Sequence, residues 1–277
     1  MMPLNIDTYF ANEVDERVVQ ESFNFQLICE ILPNVTLFTI EEKERLNAAH
    51  KLFLANMNTL SDVEYRKEME RLGVDLSWKS SQIEGNTYSL LETERLLKEK
   101  ETAQGKTKEE AVMLLNHKDA LDFILDCPDY LKELSVRRLE DIHSILTKEL
   151  GVGNGIRKRR VGITGTNYRP LDNEFQIREA LEDTCQLING KDNVFEKALL
   201  ALVLLSYIQA FTDGNKRTAR ISSNAILIAW GYCPISFRTV DSVEYKKAML
   251  MFYEQNNIAA FKQIFIEQYE FAVKNYF

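Results

Sequence analysis

Apolar residues recur at helical spacing along most of the chain, and the polar residues between them mark where each helix starts and stops. Over residues 41–58, Leu46, Ala49, Leu52, Phe53 and Met57 fall on one face, which predicts an amphipathic helix. Ser61 with Glu64 three residues on has the spacing of a capping box, and the helix it opens runs, with Gly73 as its weak point, through Trp78 to a stop at Gly85-Asn86. Residues 87–106 read as helix up to Gly105. Thr107 and Glu110 then cap another, whose stripe of Ala111, Leu114, Leu115, Leu121, Ile124 and Leu125 ends at Cys127-Pro128. Ser135 opens a further helix with Leu139, Ile142, His143 and Leu146 inward, and residues 175–188 are amphipathic. Between 198 and 208 almost every residue is apolar, with no Gly or Pro, which predicts a helix buried all round. The next begins at about Asn215 and turns Ile221, Ala225 and Ile228 inward. Asp241 and Glu244 cap a helix through Tyr253. Ile258, Phe261, Phe265, Tyr269 and Ala272 form a last stripe, either core or a self-association face of a homodimer. Strand signal is confined to residues 160–171, a short hairpin around Gly165-Thr166-Asn167, and to an extended stretch at 237–240. The first forty residues carry weakly patterned aromatics (Phe10, Phe23, Phe25) and break near Pro33-Asn34. The fold class is mainly α.

Composition narrows the setting. With 277 residues and 45% hydrophobic content, the chain supports one large domain or two small ones with a real core. A net charge of −8 disfavours nucleic acid or an anionic membrane as the main partner. Cys29, Cys127, Cys185 and Cys233 are scattered, which suggests neither a zinc site nor a disulfide framework. The start lacks the pattern of a signal peptide and no apolar run spans a membrane, so a cytoplasmic protein is expected. The glycines at 151–155 lack the flanking strand and helix of a dinucleotide loop and read as a connector, and the basic run 157–160 reads as solvated surface.

The chemistry concentrates at Ser206–Arg220, S-Y-I-Q-A-F-T-D-G-N-K-R-T-A-R, where the apolar helix breaks into a glycine-bearing turn and restarts as a basic helix. Free N–H groups at a helix start, with the dipole behind them, favour a bound phosphate. Lys216, Arg217 and Arg220 add formal charge around Gly214 and Asn215, and the two arginines, three apart, share a face. Asp213 is a hard oxygen ligand, suited to a Mg²⁺ held between it and a polyphosphate.

This run resembles the signature of the Fic domain family, H-x-F-x-[D/E]-G-N-G-R-x-x-R, matching at Phe211, Asp213, Gly214, Asn215, Arg217 and Arg220. Lys216 replaces the second glycine, and Gln209 stands where the family has histidine. The resemblance implies a Fic-type helical bundle with extra N-terminal helices, and transfer of AMP from ATP to a Ser, Thr or Tyr of a target protein, with the histidine as general base. Glutamine has no titration near neutral pH and cannot take that role. His50, His117 and His143 read as packing or surface residues rather than substitutes. Upstream, Ser80-Ser-Gln-Ile-Glu84-Gly85 is similar to the family's inhibitory motif, [S/T]-x-x-x-E-[G/N], in the class whose inhibitory helix precedes the core. There the resemblance implies that Glu84 pairs with Arg220 and denies it to the γ-phosphate. The hairpin 160–171 corresponds to the family's flap, which holds a target segment by main-chain bonds. The organisation expected is an N-terminal helical region (1–105) with the motif at 80–85, a core (106–235) with flap and signature (209–220), and C-terminal helices (236–277). Three functions follow: an autoinhibited adenylyltransferase, a nucleotide-binding regulator without catalysis, and an AMP-removing hydrolase in which Glu84 activates water.

Overall fold

The computed structural model describes residues 5–277. In chain order its helices are α1 (Ile6–Phe10), α2 (Ile40–Met57), α3 (Asp62–Ile83), α4 (Leu90–Glu99), α5 (Lys108–Asp126), α6 (Val136–Thr147), α7 (Glu174–Gly190), α8 (Val194–Ile208), α9 (Asn215–Ala229), α10 (Ser242–Gln255) and α11 (Ala259–Tyr276), with 3₁₀ and π turns between α1 and α2. Most starts are where the polar signals put them. Thr39, Ser61, Ser89 and Thr107 each form a complete capping box, satisfying two backbone donors reciprocally. Ser135, Asn173, Asn193 and Asp241 cap α6, α7, α8 and α10.

Every residue of α8 is buried, and α9, α7, α10 and α11 pack around it. Each of its leucines removed from water contributes about 1.5–3 kcal/mol, which makes this helix the energetic centre of the bundle. α6 lies against α9, α5 against α6 and α9, and α3 against α5. One cluster of buried side chains extends from Phe23 to Tyr276, so the regions expected at 1–105, 106–235 and 236–277 share a core.

Four local expectations are corrected. α3 runs unbroken through Gly73, where a Cβ would sit 2.9 Å from Leu121 Cδ2, so the glycine serves a close crossing with α5. α4 stops at Glu99 rather than Gly105 because Lys100 takes a left-handed cap (φ 61°) whose N–H bonds Leu96 O. Residues 237–240 form a turn, with Phe237 at φ 57° and its ring buried edge-on to Tyr245. In the last stripe Phe261, Phe265, Tyr269 and Ala272 are all fully buried, so of the two readings given to it the core one holds. The flap at 160–171 turns at Thr164-Gly165 but has no ladder between its limbs. Its second limb pairs elsewhere, with a single parallel bridge between Ser22 and Arg169, and Tyr168 Oη donates to Tyr207 O (3.0 Å). No helix among the described residues is long and apolar enough to cross a membrane.

Candidate functional site

The site forms where α8 ends and α9 begins. Gln209 leaves α8 in the left-handed region (φ 53°, ψ 52°), and Gly214 enters α9 at φ 81°. Glycine at 214 is required by space as well as backbone: a Cβ would lie 3.1 Å from Thr147 Cγ2 and 3.4 Å from the His143 ring. Asn215 ties the intervening loop shut, its Oδ1 accepting from Phe211 N–H and its Nδ2 donating to Phe211 O, both at 2.8 Å. His143 braces the same loop by stacking on Phe211 (centroids 3.9 Å apart) and donating from Nε2 to Asp213 O (2.9 Å). Burial holds its pKa below the ordinary value, and it sits in the core as expected, with Nδ1 unpartnered among the described residues.

Unlike most of the helices, α9 has no side-chain cap, and its first-turn residues line a cleft of about 420 Å³. Gly214, Asn215, Lys216 and Arg217 line one wall, Ile83 and Glu84 another, the flap residues Val161 to Thr164 a third, and Tyr245, Met249, Leu250 and Tyr253 of α10 close it. An open helix start, basic side chains and an apolar, aromatic wall make a space suited to an anion attached to a flat ring.

The two arginines are more deeply committed than their spacing suggests. Arg217, 1% exposed, donates from Nη1 to Leu146 O (3.2 Å) and pairs with Asp213 Oδ2 through Nη2 (3.0 Å). Arg220, 0% exposed, donates from Nε to Ser80 Oγ (2.7 Å) and from Nη2 to Ser80 O (3.1 Å) and Glu84 Oε1 (2.7 Å); Nη1 has no partner. Tyr245 lies 5.4 Å from its guanidinium carbon. Lys216 Nζ approaches Glu84 Oε2 at 3.5 Å, so two cations bracket one carboxylate. Burial alone pushes the Glu84 carboxyl up, but Arg220, then Lys216 and Arg217, outweigh it and hold the group below its ordinary value. Glu84 reaches this position because α3 ends at Ile83 and Gly85 (φ 99°) turns the chain away with open space around it.

Gln209 lines the cleft with its amide already engaged: Nε2 donates to Ser206 O (2.6 Å) and lies 3.4 Å from Tyr253 Oη, while Oε1 accepts from Asn215 Nδ2 (3.2 Å). Arg157 is a site residue that the sequence hides. It belongs to a basic run expected on the surface, yet it is 3% exposed, with Nε on Gln209 O (2.6 Å), Nη1 on Arg159 O (2.8 Å) and Nη2 on Leu171 O. Its backbone N–H also bonds Ala210 O (3.0 Å), so one residue staples both limbs of the flap to the end of α8. Lys158, Arg159 and Arg160 are exposed as expected. Tyr245 and Tyr253 were likewise invisible as site residues, because in sequence they sit within an ordinary helical stripe.

Among the described residues no three His, Cys, Asp or Glu side chains cluster to hold a metal. Asp213 is a single carboxylate, 64% exposed at the cleft and tied through one oxygen to Arg217. That donor set fits a Mg²⁺ whose other ligands are phosphate oxygens and waters, and does not fit a cage made by protein alone.

Residues 133–227 match the family model described as Fic/DOC family. Among curated proteins, the chain is similar to protein adenylyltransferase fic-1 of Caenorhabditis elegans, 29% identical over 170 residues that cover 59% of this chain and 33% of that protein. It is also similar to protein adenylyltransferase Fic of Nematostella vectensis, 30% identical over 176 residues that cover 61% of this chain and 40% of that one. The chain thus spans well under half the length of these relatives. Among solved structures, Fic-1 of C. elegans (residues 134–508) aligns with TM-score 0.73 and 24% identity over 85% of this chain and 72% of that one. A Fic domain containing signaling protein of Bacteroides thetaiotaomicron aligns with TM-score 0.70 and 18% identity over 83% and 94%. The helical architecture is shared with both, and residues 133–227, the segment that matches the Fic/DOC family, enclose the α8–α9 turn.

Proposed function

We propose that the cleft binds Mg·ATP with its phosphates on the first turn of α9, and that Glu84 holds the site in a form that excludes a productively placed γ-phosphate. The observation that carries this is the 2.7 Å contact between Glu84 and a fully buried Arg220, formed across the two motifs and beside an uncapped helix start. Gly214 lets the backbone approach an anion, Asn215 and His143 fix the loop that presents it, and Lys216 and Arg217 supply charge at its rim. Glu84 repels a third phosphate and occupies the cation that would receive it. Mg²⁺, when bound, would offset phosphate charge at Asp213.

The relatives named protein adenylyltransferases support transfer of AMP to a protein, and we infer that the target hydroxyl lies on a segment held at flap residues 161–164. Gln209 bears on how far that activity survives here. Its amide offers no base, and both its ends are engaged by Ser206 and Asn215, which favours a nucleotide-binding regulator with slow transfer or none. A hydrolase using Glu84 as base for water is disfavoured, since the cations around Glu84 lower its basicity.

The test is transfer of label from ATP by Gln209→His in a Glu84→Gly background. Histidine tolerates the left-handed backbone at 209 better than most residues, so the substitution fits the turn. An imidazole there should raise self-labelling by ~10²–10⁴-fold over the glutamine form. Strong labelling by the unaltered chain would show that Gln209 is no lesion, and failure of the folded, ATP-binding double variant would leave the regulator.

A further inference from the structure

The first described residues wrap around the outside of the flap, and no signature motif covers them. Tyr9 Oη donates to Glu254 Oε2 (2.6 Å) and lies 3.0 Å from Val18 O, and Gln20 N–H donates to Glu254 O (2.9 Å). Asn24 N–H donates to Tyr207 Oη (3.0 Å), and Arg169 N–H on the flap's outer limb donates to Glu21 O (2.7 Å). At the centre lies Arg17, 8% exposed. Its Nη2 donates to Gly165 O in the flap turn (2.6 Å) and stands 3.4 Å from Glu254 Oε1, and its guanidinium carbon lies 4.9 Å from the Phe10 ring centre. Glu254 follows Tyr253, which lines the cleft, on α10. The inner limb of the flap is different: residues 161–164 line the cleft and make no backbone–backbone hydrogen bond among the described residues.

We propose that residues 13–24 are a strap that belongs to the target-protein site, and that Arg17, held between Gly165 O and Glu254, is the positioning residue that sets the flap turn above the cleft. This rests on the flap being where a target segment binds. The strap takes the outer limb's main chain, so an extended protein segment finds its open edge only on the inner limb. Two features make the link stiff. Arg17 and Glu254 are both buried, so either left alone is an uncompensated charge. A turn carbonyl held by a guanidinium also gives up the freedom that an unladdered loop otherwise keeps. Arg157 anchors the flap's base in the same way, and the strap anchors its tip.

Amide hydrogen exchange on the full chain tests this. Arg17→Ala should speed exchange of the hydrogen-bonded amides of Tyr168 and Arg169 in the flap and Gln20 and Asn24 in the strap by ~10-fold, the loss of one charge-assisted bond, while α8 and α9 keep their protection. Arg17→Ala with Glu254→Gln removes the orphaned carboxylate charge and should give the same local rise if the single variant folds poorly. Arg17→Lys, which keeps a donor and the charge opposite Glu254, should restore part of the protection. Unchanged exchange at these four amides in the folded variants would overturn the proposal, as would an equal rise throughout the chain, which would make Arg17 a general stabiliser. Calorimetry of Mg·ATP on the parent protein separates this proposal from the nucleotide reading. No binding by the parent protein would instead count against the nucleotide site, with the exchange result still deciding the strap.

Discussion

Among the described residues Glu84 is the only carboxylate that meets Arg220, and Glu84→Gly leaves the guanidinium hydrogen-bonded there to Ser80, through Nε to Oγ (2.7 Å) and Nη2 to the backbone carbonyl (3.1 Å). Those two bonds keep the arginine in place behind Glu84, which lines the cleft. Nη1 is already unpartnered, so the freed group can take a phosphate oxygen without moving far. A charge-assisted bond from Arg220 to the γ-phosphate, which AMP cannot form, contributes about 1.5–3 kcal/mol, or roughly 10–100-fold in Kd for Mg·ATP with little change for AMP. The unliganded variant should also lose stability. Glu84 is 20% exposed, so the loss falls below the ~3–5 kcal/mol of a fully buried broken pair, at about 1–2 kcal/mol. Saturating Mg·ATP should recover it by mass action. Calorimetric titration of both nucleotides into wild type and variant, with melting curves on the same samples, measures each quantity. Equal Mg·ATP affinity in the two proteins, or a matching rise in affinity for AMP, would refute the role given to Glu84.

The depressed Glu84 pKa predicts that the stability gap between wild type and Glu84→Gln is fully present above the unfolded value of about 4.3 and shrinks as pH falls through the lower folded value, read by denaturant midpoints at pH 3 to 7. His117 is buried with both ring nitrogens unpartnered, and burial, then Arg220 and Arg217, pushes its pKa well down. The unfolded chain takes up that proton below about pH 6.5, so stability falls by about 1.4 kcal/mol per pH unit there; His117→Leu should lessen that slope by one proton, and an unchanged slope would place the protonation elsewhere. Gly214→Ala forces a side chain into φ 81° and to within 3.1 Å of Thr147 Cγ2, so it should lower stability by about 1–2 kcal/mol and weaken nucleotide binding together, seen by melting and titration.

What could be read from the chain follows from where its signals are local. Capping boxes and periodic stripes need only four to eight neighbouring residues, so α2, α3, α5, α8 and α9 were legible, whereas the pairing partner of Glu84 came only through the resemblance of the two motifs to the family. Gly73 was not, because a glycine demanded by a helix crossing resembles one that breaks a helix until Leu121 stands opposite it. Arg157 and Arg17 were hidden for a similar reason. A basic residue is exposed by default, and only folding shows the carbonyls of Gln209, Arg159 and Leu171 converging on one and the turn of the flap on the other. The flap itself carried the alternation and turn of a hairpin, but its outer limb bonds the N-terminal segment instead of the inner limb, a tertiary choice that no local pattern encodes.

The central claim is that the first turn of α9 is a phosphate site that Glu84 controls. A crystal structure of Glu84→Gly with Mg·ATP, beside one of the wild type under the same conditions, tests it most directly. The triphosphate is predicted to lie against the N–H groups of residues 214–217, with its γ-phosphate on Arg220 in the variant and displaced from Arg220 in the wild type. A triphosphate in the same pose in both, or bound away from the start of α9, would contradict the claim.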